Sequence, residues 1–139
     1  MLKDEALKYY GAGNYNCAET IIRAANDYYG LGLCEHDMKM VAGFGGGIQS
    51  GNVCGTLLSS VSALSMKYVE AKAHDSADIR PVTNSLLRRF NEAFGSQLCR
   101  DIKVQHFSKE FKCRETILMA CDILENTIND YEAQKAENA

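Results

Sequence analysis

The sequence predicts an all-α, single-domain bundle of about five helices, with a Gly-rich loop before the central helix. Three observations lead there. The chain of 139 residues holds a single proline, and apolar residues recur every three or four positions along most of it, the period of an amphipathic helix. No run alternates apolar and polar residues in the two-residue period of a strand. A helical domain of this length buries a core without covalent staples. The expectation is therefore one helical domain over residues 1–139, with 131–139 a polar, frayed tail.

Taken in order, residues 2–10 form a short first helix, broken at Gly11-Ala12-Gly13-Asn14. Asn16 is placed to cap the second. Behind it Ala18, Ile21, Ile22, Ala25, Tyr28 and Tyr29 keep helical spacing up to Gly30, a C-terminal stop. A third helix covers residues 35–44. The segment Gly43-Phe44-Gly45-Gly46-Gly47-Ile48-Gln49-Ser50-Gly51-Asn52 holds too much glycine for a helix. Asn52 can cap the central helix, whose stripe is Leu57, Val61, Leu64 and Tyr68. After a polar loop at 71–78, Pro81 suits the first turn of a helix that buries Val82, Leu86, Phe90 and Ala93 or Phe94 and ends at Gly95-Ser96. A long last helix begins near Ser108 and Phe111 and carries Ile117, Cys121, Leu124, Ile128 and Tyr131.

Charge narrows the function. A net charge of −3 argues against a nucleic-acid binder, which needs a basic face; Arg88-Arg89 are only two adjacent cations. Met1-Leu2-Lys3-Asp4-Glu5-Ala6 carries acids where a secretory leader needs an apolar core. No apolar run approaches the roughly 18 residues of a membrane span. The expectation is a cytoplasmic protein without membrane insertion, in a setting that keeps thiols reduced. Six cysteines are too few for a disulfide-built scaffold, and in such a setting they point to redox or metal chemistry.

The six are not equivalent. Cys17 follows the Asn16 cap, and Cys54 lies two residues after Asn52. Both fall in the first turn of a helix, where unpaired N–H groups and the positive end of the macrodipole favour thiolate. The glycines before Cys54 permit close packing around a cysteine site; phosphate binding is the weaker alternative, because no Gly-Lys-Ser/Thr ending follows. Cys99 comes after the helix-ending Gly95-Ser96, with Arg100 and Lys103 near in sequence. Cys113 lies near the start of the last helix. Cys121 sits mid-stripe as a core residue, about 12 Å along the axis from Cys113, too far to pair with it. Cys34 has no partner by pattern. No Cys-x-x-Cys occurs, so Cys17, Cys54, Cys99 and Cys113 form a site only if the fold assembles it.

The ordered runs Asn16-Cys17-Ala18-Glu19, Ala42-Gly43-Phe44-Gly45-Gly46-Gly47, Cys54-Gly55-Thr56-Leu57-Leu58-Ser59 and Phe94-Gly95-Ser96-Gln97-Leu98-Cys99-Arg100-Asp101, followed by Cys113, resemble the C-GCAxxG-C-C family, whose members are described as redox-active. The resemblance spans nearly the whole chain and maps the four family cysteines to Cys17, Cys54, Cys99 and Cys113. Thr56 stands where the family box has alanine and Ser59 where it has its second glycine.

Three functions follow from residues and resemblance together. The first is thiol-based redox or electron transfer by the four cysteines, as a thiol–disulfide oxidoreductase acting on a small thiol or disulfide or a redox partner protein, with no cofactor. Gly45, Gly46, Gly47 and Gly55 would shape the site or hold a cofactor. The second is an iron–sulfur cluster or zinc on the same four cysteines. His36, His74 and His106 are scattered in expected loops and are read as exposed; a cysteine hydrolase using His106 beside Cys99 is disfavoured. The third, implied by the resemblance alone, is a non-enzymatic thiol-bearing module associated with a membrane transporter. Tyr9, Tyr10, Tyr28 and Tyr29 are read as packing surface, with a homodimer contact as an alternative.

Overall fold

A computed structural model describes all 139 residues. The chain is all-helical, with three isolated backbone bridges and no strands. The α-helices are α1 (Leu2–Ala6), α2 (Cys17–Tyr29), α3 (Glu35–Met38), α4 (Gly55–Tyr68), α5 (Ile79–Phe94), α6 (Cys99–His106) and α7 (Arg114–Glu137). That is seven rather than about five. The expected third helix stops after four residues and continues as a 3₁₀ turn, Lys39–Phe44. The additional helix, α6, is short and mostly polar, so it has little apolar periodicity to betray it.

Local signals at the ends of α2 act as expected. Asn16 accepts the Glu19 N–H at 2.9 Å, and the Glu19 carboxylate accepts the Asn16 N–H at 3.0 Å, a reciprocal capping box. Gly30 closes the helix in the left-handed conformation, φ +62°. α4 begins differently from expectation. Cys54 itself is the N-cap, while the Asn52 side chain accepts the N–H of Val53 at 2.8 Å. The segment Gly47–Gly51 is a turn and not a regular helix, as its glycines predict: Ile48 and Gln49 hold left-handed φ of +56° and +58°, and the Asn52 N–H closes it on the Gly47 carbonyl at 2.8 Å.

α2 and α4 form the central pair, with α1 and α7 against α2 and α5 against α4 and α7. Ile21, Ile22, Leu64, Leu86, Phe90 and Leu124 are among the fully buried side chains, each worth roughly 1.5–3 kcal/mol in apolar transfer. Of the two candidates on α5, Phe94 is the buried one. α4 buries Thr56, Ser59, Ser60 and Ala63 as well as Leu57 and Leu64, because it has helices on several sides and small residues let them approach. Ser59 Oγ donates to the Ala18 carbonyl at 2.6 Å and ties α4 to α2. No helix is long and apolar enough to cross a membrane.

α7 stays helical past Tyr131, to Glu137. The polar composition predicts fraying there, but Tyr131 donates to Asp78 at 2.6 Å and Lys135 to the same carboxylate at 3.2 Å. These contacts hold its end against the loop before α5.

Asn16 also donates to the Ala42 carbonyl at 2.9 Å, so its side chain joins two segments besides capping α2. Asn16→Ala is expected to lower the unfolding free energy by about 1–2 kcal/mol, measured by urea denaturation.

Candidate functional site

The four cysteines begin four different helices. Cys17 is the first residue of α2 and Cys99 the first of α6, while Cys54 and Cys113 are the N-caps of α4 and α7. All four line one cavity of about 160 Å³. Cys54 and Cys99 are buried; Cys17 and Cys113 are partly open. Tyr10, Tyr15, Asn16, Gly46 and Thr56 complete one part of the lining, and Ile102, Lys103 and Thr116 the other.

Backbone pairing sets two of these positions. Residues 52–54 run antiparallel to 97–99 through the bridge Val53–Leu98. The Cys54 N–H donates to the Gln97 carbonyl at 2.8 Å, and the Cys99 N–H to the Asn52 carbonyl at 2.7 Å. The Cys113 N–H donates to the Tyr10 hydroxyl at 3.0 Å, which anchors the start of α7 to the chain just beyond α1.

The glycines bring protein against protein. A Cβ on Gly55 would lie 2.9 Å from Cys17 Sγ and 2.7 Å from the Phe44 carbonyl. One on Gly47 would lie 2.5 Å from both Cys99 Cβ and the Asn52 carbonyl. Gly45 sits against the Asn16 side chain. Gly46 is the member of the run that faces the cavity, and its N–H bonds Cys17. Close packing around the thiols is thus the visible use of the loop.

The two departures from the family box each acquire a partner. Thr56 is fully buried, with its Oγ1 3.0 Å from Cys54 Sγ. Ser59 makes the α4–α2 bond already described, so glycine is not required at that crossing.

Burial dominates the electrostatics and overturns the expected thiolate at Cys17. Desolvation pushes the Cys17 thiol up to about 12, against the Gly46 N–H, and negative charge on Cys54, Cys113 or Cys99 would push it further the same way. Burial also raises Cys99, opposed by Lys103 and reinforced by Cys54. It raises Cys113, where Lys103 and the Tyr10 hydroxyl act in the opposite direction. A first-turn position favours thiolate only where water or a cation remains close, and here the first turns point into the protein.

Cys34 is exposed at the start of α3, away from the cavity. Cys121 is a core residue of α7, fully buried and pushed up to about 12, first by burial. His36 and His74 are exposed, but His106 is not. Its Nδ1 is 2.7 Å from Glu115, and its ring stands edge-on to Phe94. It lines a neighbouring cleft rather than the thiol cavity. No group of three or more His, Cys, Asp or Glu side chains is arranged to hold a metal ion.

Sequence reasoning missed Tyr10, Tyr15 and Thr116 as cavity residues. Lys103, but not Arg100, faces the thiols. A signal for this existed: Lys103 lies four residues after Cys99, on the same face if residues 99–106 are helical, a helix the sequence pattern did not reveal.

Two outcomes follow. Gly46 and Gly47 share a φ of +64°, but a Cβ on Gly46 meets nothing within 4 Å. Gly47→Ala is expected to cost at least about 1 kcal/mol more than Gly46→Ala in thermal or urea unfolding, since both carry the same backbone strain but only one also overpacks. The raised thiols also give the reduced protein an alkaline limit. Unfolded cysteines release protons near the ordinary value of 9.0, whereas Cys17 in the fold holds its proton to about 12. The folded state then binds more protons, so stability is full below about pH 9 and falls as pH rises towards 12. Urea denaturation across that range should show the fall, and Cys17→Ala should lessen it.

Comparison with known proteins places this geometry in a family. A protein of Archaeoglobus fulgidus described only as uncharacterized is 28% identical over 133 residues, covering 83% of this chain and 85% of its own. No solved structure matches the chain. The family model described as "Putative redox-active protein (C_GCAxxG_C_C)" matches residues 15–127, a span that contains all four cavity cysteines. The chain belongs to the C_GCAxxG_C_C family.

Proposed function

We propose that the cavity carries thiol–disulfide redox chemistry, moving two electrons between pairs of its cysteines and an external disulfide. The observation that carries this reading is the meeting of Cys17, Cys54, Cys99 and Cys113 in one cavity, each from a different helix. Thiols so far apart in sequence have little reason to share a wall unless they act together.

Access and charge support an order of events. Cys113 is partly open, and Lys103 and the Tyr10 hydroxyl favour its thiolate against the cost of burial. It attacks one sulfur of the substrate disulfide, the substrate S–S bond breaks, and the departing thiolate takes a proton from solvent. A second thiol, Cys54 or Cys99, then loses its proton and attacks the Cys113 sulfur of the mixed disulfide. The other half of the substrate leaves as a thiol, and the protein keeps a disulfide. The substrate has gained two electrons and the cysteine pair has lost them. Burial of the second thiol keeps it from reacting with solvent oxidants before the mixed disulfide forms.

Thiol counting during a redox titration tests this. Under mild oxidant the protein should lose cavity thiols in pairs and regain them with a dithiol reductant. Cys113→Ser should reduce the rate with a small disulfide by about 100-fold or more, and Cys34→Ser should leave it unchanged. Cavity thiols that all persist under oxidant would sink the reading. So would stoichiometric metal and sulfide in anaerobically purified protein, because ligated thiolates are not free to exchange.

A further inference from the structure

Between α6 and α7 the chain closes a short loop beside the thiol cavity. Lys112 N–H donates to the Ser108 carbonyl at 2.8 Å, Ser108 N–H to the Lys112 carbonyl at 3.2 Å, and Phe111 N–H to Ser108 Oγ at 2.9 Å. Lys112 holds the left-handed conformation, φ +54°. A loop bonded in this way presents its side chains in a fixed arrangement, and little ordering is left for a partner to impose.

Its side chains suit contact. Phe107 and Phe111 are exposed, and Val104 on the adjoining turn of α6 is 85% exposed. Residues 103–114 hold the cations Lys103, Lys109, Lys112 and Arg114 against the single acid Glu110, in a chain of net charge −3. None of the eight ion pairs in the protein uses any of these four cations. Three of them lie over the aromatic rings instead. Lys103 is 5.4 Å and Lys112 6.0 Å from the centre of Phe107, and Arg114 is 4.9 Å from that of Phe111. Cation–π contact fixes a cation without neutralising it, so the positive field stays available to a partner.

The surface is continuous with the thiols. Lys103 and Cys113 line the cavity itself, while Phe111, Lys112 and Arg114 share a second cleft with the cavity residue Tyr10.

We propose that this basic, aromatic loop is the docking surface for an acidic protein that presents its own disulfide to Cys113. The inference rests on the thiol–disulfide reading above and adds the class of substrate. Unpaired cations complement carboxylates, and the two rings give an apolar anchor of the kind protein interfaces favour. An anionic membrane would meet the same charges but offers no disulfide to the thiol at the end of the loop.

Three synthetic peptide disulfides test it, sharing one cysteine core flanked by glutamates, serines or lysines. With the reduced protein at low salt, the glutamate peptide should be reduced about tenfold faster than the serine peptide, and the lysine peptide slower still. At high salt the three rates should converge. Lys109→Glu with Lys112→Glu should abolish the advantage of the glutamate peptide over the serine peptide. Equal rates for all three peptides would overturn the docking proposal while leaving the thiol reading intact. If no peptide is reduced, that reading fails, and docking is judged separately with the glutamate peptide carrying serine in place of cysteine. NMR shifts at Val104, Phe107, Phe111 and Lys112 on its addition, lost in the double variant, would support the surface. Silence there, or charge-dependent binding to anionic vesicles without peptide binding, would overturn it.

Discussion

The antiparallel pairing of residues 52–54 with 97–99 is the contact on which the site depends. Its two hydrogen bonds, from Cys54 to Gln97 and from Cys99 to Asn52, start α4 and α6 side by side. They fix two cysteines 45 positions apart in sequence within one wall. The pairing needs Gly47 beneath it, because a Cβ there would strike both Asn52 and Cys99. The α2–α4 crossing adds Cys17 through the missing Cβ of Gly55, and the Tyr10 hydroxyl fixes the start of α7 and with it Cys113. Backbone geometry sets where each thiol begins, and the Gly46 N–H on Cys17 and the Thr56 hydroxyl on Cys54 add contacts to the sulfurs themselves.

That arrangement sets a conflict between two electrostatic effects. Four helix N-termini direct N–H groups and partial positive charge at the thiols. The same convergence removes water, and each thiolate would feel the others. For Cys17, Cys99 and Cys113 burial prevails and the thiols are held protonated. A neutral disulfide relieves this conflict, since it carries no charge to desolvate. Lys103, the one cation on the wall, acts on Cys99 and Cys113 and not on Cys17. Cys17, Cys99 and Cys113 are therefore electrostatically unequal even though they share a cavity.

The box around Cys54 shows how a motif can vary without loss of packing. Thr56 brings a hydroxyl into a fully buried position and places it on the Cys54 sulfur, and Ser59 gives its hydroxyl to a carbonyl of the neighbouring helix. A buried hydroxyl without a partner would cost on the order of 1–3 kcal/mol, so both departures are tolerated because the partner was already in reach.

Local chemistry was written in the sequence. Asn16 announced the start of α2, Gly30 and Gly95 the ends of α2 and α5, and the stripe Val82, Leu86 and Phe90 the buried face of α5, with Ala93 or Phe94 left for packing to decide. Such signals act within a few residues, so they need no knowledge of the rest of the chain. The four cysteines could be singled out, two from position and two from resemblance. What the sequence could not contain was their common environment. α6 is too short and polar to carry a visible period, so Cys99 and Lys103 could not be placed on one helical face. Thiol acidity was misjudged at Cys17 for a related reason. A first-turn position is a local property, but desolvation depends on what the other helices bring against it. Residue identity and helix ends were determined by the sequence alone, whereas convergence, burial and the charge state of the sulfurs were decided by tertiary packing, because each is a property of distances between segments that only the fold brings together.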